Sequence, residues 1–377
     1  MRILLVSNIF PPLIGGPATF MDRLAHELAA RGHRVTVVCS SAGGADPDDR
    51  RRPFRVVRVS IENRYAYEVR MRLVLLRELL AHRTVFVSLL DDYVAQVNRL
   101  VGRRYVLKIT GDPVWERARN LGVTTLDVDA FQRDAAAQRA WAREITRRNA
   151  RVAAAAQVVT PSRYLRDMVA GWGVPPERIA VIPNGVEDEL LETPAPRPRA
   201  NGHLRALFVG RLTNWKGVET LLLAARDLAG VQVAIAGDGP QLPALAALVH
   251  QLGIAPQVEF LGRLPRAGVR AEMRRAHALV LTSLYEGHPH VLLEAAAHGL
   301  PCVVSERGGN REVVEPGVNG LLVPAQDPPA LRRALRSLLD DEDLRHRLAT
   351  GAWARARGYG VTRSVEQIVA VLTSHAG

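Results

Sequence analysis

The chain has 377 residues, 47% of them hydrophobic and 23% charged, which suits two soluble globular domains better than one and excludes a disordered or fibrous chain. Its formal charge of +12 rests almost wholly on arginine, since lysine occurs only at Lys108 and Lys216. That bias reads as a codon preference, so the charge alone makes a weak case for nucleic acid, and with 5% aromatic residues the chain lacks a stacking platform for single strands. No apolar run reaches membrane-span length. The two cysteines, Cys39 and Cys302, lie beside Val-rich runs and read as buried, inert thiols in a reducing compartment.

The elements follow in order. The apolar start over Ile3–Ser7 has the look of a signal peptide, but it is too short and meets Pro11-Pro12 and Gly15-Gly16, so it reads as a first strand. A helix over Thr19–Gly32 and a strand over Val35–Cys39 complete a βαβ opening with glycines at its turn, the doubly wound signature. Gly15-Gly16-Pro17 lets the backbone approach a ligand beside the free amides of a helix start, although no dinucleotide fingerprint is present. Strand patterns recur at 55–59, 84–89, 105–109 and 157–160. Between them, residues 65–83 alternate long apolar side chains with arginine, either a core-facing amphipathic helix or a basic face for anionic lipid. The Pro-rich stretch 193–202 has linker composition, and strands restart at 205–209, 231–236, 258–261, 278–281 and 301–305, with a helical tail from Asp327. The expected organisation is an N-terminal Rossmann-like domain over 1–192, the linker 193–202, a second Rossmann-like domain over 203–358 and a terminal helix over 359–377 that packs back on the first. The ligand would lie in a central cleft between the two domains.

The chemistry concentrates at strand ends. Glu286, in the loop after the 278–281 strand, and Glu294, one turn into the next helix, are acceptor-only carboxylates placed to take paired hydroxyls of a sugar or ribose. The plainer alternative is a surface Glu and a first-turn Glu favoured by the helix dipole. Arg211 and Lys216 follow the 205–209 strand and open a helix, a planar fork and a point charge suited to a diphosphate. Asp112, in Thr110-Gly111-Asp112-Pro113, is placed either to orient an acceptor hydroxyl and steady positive charge at a reacting carbon, or simply to start a turn. Asp127-Val128-Asp129 has the form of a metal-binding pair but sits before a helical run, where a cap or solvated loop is the better reading. His288 and His290 lack a third ligand of convincing spacing, so no metal site is expected.

An ordered set of motifs resembles the family 4 glycosyltransferases, the retaining group with the GT-B fold. It comprises "SNIFPPLIGGPATF" at 7–20, "TPSRYL" at 160–165, "VIPNGV" at 181–186, "FVGRLTNWKGVETLL" at 208–222, "IAGDGP" at 235–240, "FLGRL" at 260–264, and the run from Ser283 to Pro324 that holds Glu286-x7-Glu294. The stretch at 105–122, "YVLKITGDPVWERARNLG", resembles a bacterial subgroup acting on cell-surface or natural-product acceptors.

The resemblance implies a sugar donor carried on a nucleoside diphosphate, UDP by family frequency with GDP-mannose as the main competitor, and no metal or other cofactor is expected. It places the diphosphate on Arg211 and Lys216, the donor sugar on Glu286 and the ribose on Glu294. Amides near Gly262, Arg263 and Leu264 would edge the base, amides near His290 and Val291 would meet sugar and phosphate, and Gly16 would approach the diphosphate. The acceptor is a hydroxyl of a glycan, a lipid-linked sugar or a natural product. The implied setting is cytoplasmic, with a peripheral contact to the inner membrane face through residues 64–83. Two departures stand out: Thr110-Gly111-Asp112 replaces the histidine common in the N-terminal cleft, and His288-Pro289 replaces Phe-Gly after the first Glu-Gly. The competing readings are a GT-B sugar-nucleotide epimerase, a Rossmann dehydrogenase without its fingerprint, and a basic nucleic-acid or membrane-surface module.

Overall fold

The computed structural model describes residues 1–13, 16–43, 46–192 and 202–374. Seven strands form the first sheet: β1 (Arg2–Ser7), β2 (Arg34–Ser41), β3 (Arg55–Ser60), β4 (Thr84–Ser88), β5 (Val106–Lys108), β6 (Gln157–Thr160) and β7 (Ile179–Val181). They pair in parallel in the order β3-β2-β1-β4-β5-β6-β7. Six strands form the second sheet: β8 (Leu204–Val209), β9 (Val231–Ala236), β10 (Val258–Gly262), β11 (Ala278–Leu281), β12 (Cys302–Ser305) and β13 (Gly320–Val323). These are also parallel, in the order β10-β9-β8-β11-β12-β13. Both sheets therefore carry the doubly wound order, in which direction reverses beside the first strand of the set.

Parallel strands covered by helices on both faces read as continuous apolar runs, and the central strands of both sheets do. Val280, Leu281, Val303 and Val304 are buried at the centre of the second sheet, as are Ile3, Leu4, Leu5 and Val6 in the first. The helix after β1 runs over Gly16–Ala30, earlier than the spacing of apolar residues predicts, because Pro17 suits a first helical turn. It buries Phe20, Leu24, Ala25 and Leu28. Strand β4 stops at Ser88 because Leu89 and Leu90 take φ of 71° and 60°, left-handed values that no strand accommodates. Cys39 and Cys302 are buried in β2 and β12, and burial pushes the Cys39 thiol up to about 12.

The chain divides into two units. One takes Met1–Thr110, Ala142–Pro183 and Val361–Gly377, and the other takes Gly111–Trp141 and Asn184–Gly360. The helix Val361–Ser374 inserts Val365, Ile368 and Leu372 into the core formed by Ile3, Leu5 and Phe86. The excursion 111–141, which follows β5 in sequence, packs instead with the unit of the second sheet. Of the Pro-rich linker 193–202, all but Gly202 lies outside the described residues, as do residues 375–377.

Candidate active site

In the second unit the switch point lies between β8 and β11, which pair directly through Ala206–Ala278 and Leu207–Leu279. Their carboxyl ends feed two loops, 210–217 and 282–289, and this adjacency brings distant residues together. Lys216 Nζ donates to Glu286 Oε1 at 2.6 Å, and Ser283 Oγ donates to the same oxygen at 2.7 Å. Glu286 is only 8% exposed. Arg211 is exposed and makes no ion pair among the described residues. Two bonds join the loops, Leu284 N to Trp215 O at 2.7 Å and Thr282 Oγ1 to Gly217 O at 2.8 Å, and a third, Gly309 N to Glu286 O at 2.8 Å, ties the second loop to the turn after β12.

Glycine makes this interlock sterically feasible. Gly217 has φ of +70°, and a Cβ there would stand 2.1 Å from Thr282 O. Gly308 has φ of +57°, and its Cβ would stand 2.2 Å from Glu286 O. Behind the loops, Ser305 Oγ donates to Ser283 O at 2.5 Å and Asn310 Nδ2 to Ser305 O at 3.0 Å, a buried chain that holds Ser283 and through it Glu286.

Glu294 lies on the helix His290–Ala297, which starts after Pro289 without a side-chain cap. The first-turn position leaves the amides of His290 and Val291 outside the intrahelical pattern. Arg266 Nη2 approaches Glu294 at 3.7 Å and Arg266 Nη1 approaches Glu187 at 2.5 Å, with Arg270 also on Glu187. Burial raises the Glu294 carboxyl, and Arg266 and Arg270 oppose that shift. Gly262 ends β10, and Arg263 and Leu264 lead from it into the helix Arg266–Arg275, so the segment expected to edge a base runs directly into the arginine beside Glu294. His288 is buried with its ring 5.6 Å from that of Tyr359, and its carbonyl accepts from Asn184 Nδ2 at 2.8 Å.

Arg211, Lys216, Glu286, Glu294, His290, Val291 and the 262–264 segment thus share one unit and one end of one sheet. Gly16 belongs to the first unit, where it opens the helix Gly16–Ala30. Asp112 is fully buried as the N-cap of the helix Pro113–Asn120; its Oδ1 accepts from Val114 N at 2.9 Å and its Oδ2 from Gln132 Nε2. Those bonds tie Asp112 into the excursion 111–141. Asp127 likewise caps a helix, accepting from Ala130 N at 2.7 Å, and pairs with Arg307 at 3.3 Å.

Sequence reasoning passed over Glu116, Glu187 and Arg266. Glu116 follows the Asp112-Pro113 cap by one turn, a signal visible in the string; the pairing of Glu187 with residues some eighty positions away carries none.

The basic segment also resolves. In the helix Arg64–Ala81, Met71, Leu75 and Leu79 face the core, whereas Tyr65, Val69, Leu73 and Leu80 are exposed, Tyr65 by 86% and Leu73 by 61%. No described helix is long and apolar enough to cross a membrane.

Two doubly wound parallel-sheet units, with cation and carboxylate placed at a switch point, define the GT-B class of α/β proteins. Comparison with known proteins agrees. The family model described as glycosyl transferase 4-like domain matches residues 15–185, and that described as glycosyl transferases group 1 matches residues 192–355. A glycogen synthase of Mycobacterium tuberculosis is 30% identical, over 94% of this chain and 90% of its own. Sucrose-phosphate synthase from Thermosynechococcus elongatus is 20% identical, with a TM-score of 0.80 over 99% of this chain and 98% of its own. HepE from Anabaena, solved with UDP-glucose, is 19% identical, with a TM-score of 0.77 over 99% of this chain and 100% of its own. The chain belongs to the GT-B glycosyltransferases of the family 4 type. Neither an epimerase nor a basic binding module is favoured by these findings.

Proposed function

We propose that this protein is a retaining hexosyltransferase that needs no metal and moves a sugar from a nucleoside-diphosphate sugar, UDP-linked, to a hydroxyl of a glycan, lipid-linked or natural-product acceptor. The observation that carries the reading is the Lys216–Glu286 pair at the switch point, 2.6 Å apart. An ammonium has three donors, and Glu286 uses one. The remaining two, with the unpaired Arg211 fork and the helix-start amides near His290, suit the oxygens of a diphosphate. Glu286 keeps acceptor capacity for sugar hydroxyls, and Glu294 for a ribose beside Arg266.

In the proposed reaction the bond from the anomeric carbon to the leaving phosphate oxygen breaks. The acceptor oxygen bonds to that carbon on the same face, and its proton passes to the leaving phosphate. Charge grows on the diphosphate as the bond breaks, so the cations of Arg211 and Lys216 stabilise the transition state more than the ground state. Asp112 contributes by holding the helix Pro113–Asn120. UDP is also the nucleotide in the Anabaena neighbour's complex, which supports that base for the donor.

The exposed stripe of Tyr65, Val69, Leu73 and Leu80, flanked by Arg70 and Arg77, supports a peripheral contact with an anionic lipid surface. Such a contact would bring a lipid-linked acceptor to a cytoplasmic enzyme.

The test is a thermal-shift screen against UDP, GDP, ADP and dTDP, with and without EDTA, followed by the matching sugar nucleotides. A selective rise with one diphosphate that survives EDTA is expected. No rise with any of them, in folded protein, would overturn the donor site.

A further inference from the structure

Beside the Lys216–Glu286 pair stands a third ionisable group that the proposed reaction leaves unused. Glu116 lies on the helix Pro113–Asn120, which is fixed to loop 210–217 on both sides of it. On one side the buried Trp115 ring packs 5.7 Å from Trp215 and 5.3 Å from Tyr285, with its Nε1 donating to Leu126 O at 3.0 Å. On the other, Asn214 Nδ2 donates to Arg119 O at 2.9 Å and Arg119 Nη2 to Asn214 O at 3.4 Å. Glu116 is held between these anchors. Its carboxylate reaches back over Gly111: a Cβ built on Gly111 would lie 2.6 Å from Glu116 Oε1 and 3.3 Å from Tyr285 Oη. Tyr285 is the residue before Glu286, so the bare Cα of Gly111 is flanked by the new carboxylate and by the neighbour of the old one.

Three charges act on Glu116: Asp112, Lys216 and Glu286. Burial pushes its carboxyl up to about 7, Asp112 and Glu286 add to the shift and Lys216 opposes it. Among the described residues the carboxylate makes no hydrogen bond and no ion pair. Asp112, on the same helix, shows how a carboxylate serving the fold is used, with both oxygens bonded. Glu116 has the opposite character: it is rigidly placed and half-buried, and its oxygens stay open to a ligand's hydroxyls.

We propose that Glu116 is a further sugar-binding residue of the donor site, accepting hydrogen bonds from hydroxyls of the transferred hexose alongside Glu286. The inference rests on the donor-site reading. Two carboxylates flanking one sugar favour a neutral hexose with free hydroxyls and disfavour a uronic acid, whose own carboxylate they would repel.

The experiment measures binding of UDP and UDP-glucose to the full chain by calorimetry, with GDP and GDP-mannose as a second pair, in wild type and in Glu116→Gln. If wild type binds neither diphosphate, the donor-site reading falls and Glu116 falls with it. If wild type binds, Glu116→Gln is expected to bind the diphosphate as wild type does and the sugar nucleotide about tenfold more weakly, as for a hydroxyl bond to a charged acceptor. Equal binding of both ligands in both proteins, or equal loss of both in the variant, overturns the proposal. The preference of wild type for UDP-glucose over UDP should grow between pH 6 and pH 8 as the carboxyl ionises and stay flat in the variant.

Stability supplies a further readout. A carboxyl raised on folding favours the fold at low pH and loses that contribution as pH rises from its unfolded value through about 7. Glu116→Gln should therefore melt higher than wild type at pH 8, whereas a residue serving only the fold would melt lower when replaced. Gly111→Ala, whose methyl group would meet Glu116 Oε1, gives an independent variant with the same expected loss of sugar-dependent affinity.

Discussion

Lys216 and Glu286, seventy positions apart in the chain, meet at 2.6 Å because β8 and β11 are neighbours in the sheet. The pair is mostly buried, so each charge depends on the other for its compensation. Lys216→Ala should cut turnover by about a hundredfold, as for loss of one anion-stabilising donor, and also destabilise the protein by about 1–3 kcal/mol by leaving Glu286 with the Ser283 hydroxyl but no cation. Arg211→Ala should lose turnover to a similar degree with little change in Tm, because Arg211 is exposed and unpaired. Steady-state kinetics and melting curves on both variants separate the two roles; near-native turnover in either one would sink its phosphate assignment.

Gly217→Ala places a methyl group 2.1 Å from Thr282 O at a φ of +70°. Neither backbone can yield without moving the loop that carries Lys216. A destabilisation of about 2 kcal/mol or more is expected, together with weaker diphosphate binding. Chemical denaturation and calorimetry check both, and a stable variant with unchanged affinity would show that the interlock does not position the site.

Lys108 is buried in β5 with its ammonium 3.4 Å from the centre of the Phe20 ring, and burial lowers it to about 7. The unfolded chain then holds more protons between that value and about 10.5, so stability rises with pH across the window. Lys108→Met should be more stable than wild type below pH 7, and the difference should shrink toward pH 10. Melting temperatures across that range are the check; a constant difference would mean that the amine does not titrate on folding.

The stripe of Tyr65, Val69, Leu73 and Leu80 should hold the protein on vesicles of anionic phosphatidylglycerol and release it from neutral phosphatidylcholine. Val69→Asp with Leu73→Asp should abolish sedimentation with anionic vesicles and leave turnover of a soluble acceptor unchanged. Equal sedimentation of wild type and variant would exclude the stripe as the contact.

The strands most legible in the sequence were those with apolar runs bounded by turn residues, such as Val231–Ala236 and Ala278–Leu281, which the structure reproduces residue for residue. The two left unread, Ile179–Val181 and Gly320–Val323, are edge strands of three and four residues. At that length periodicity gives no signal, and pairing along one side alone defines the strand. At the candidate site the loop positions were legible because strand ends and glycines mark them. The Lys216–Glu286 contact followed from sheet order, which no local pattern encodes. Glu116 stayed hidden because its significance depends on Trp115 meeting Trp215, a contact across a hundred residues.

The helix Val361–Ser374 completes a core whose other side chains include Ile3, Leu5, Phe86 and Val159. During synthesis the first sheet therefore leaves the ribosome long before the helix that covers it. The unit built on residues 184–360 has its whole second sheet in hand while the earlier one still waits with an apolar face uncovered. A chain cut after Gly360 would lose no residue of the candidate site and yet compromise the half made first.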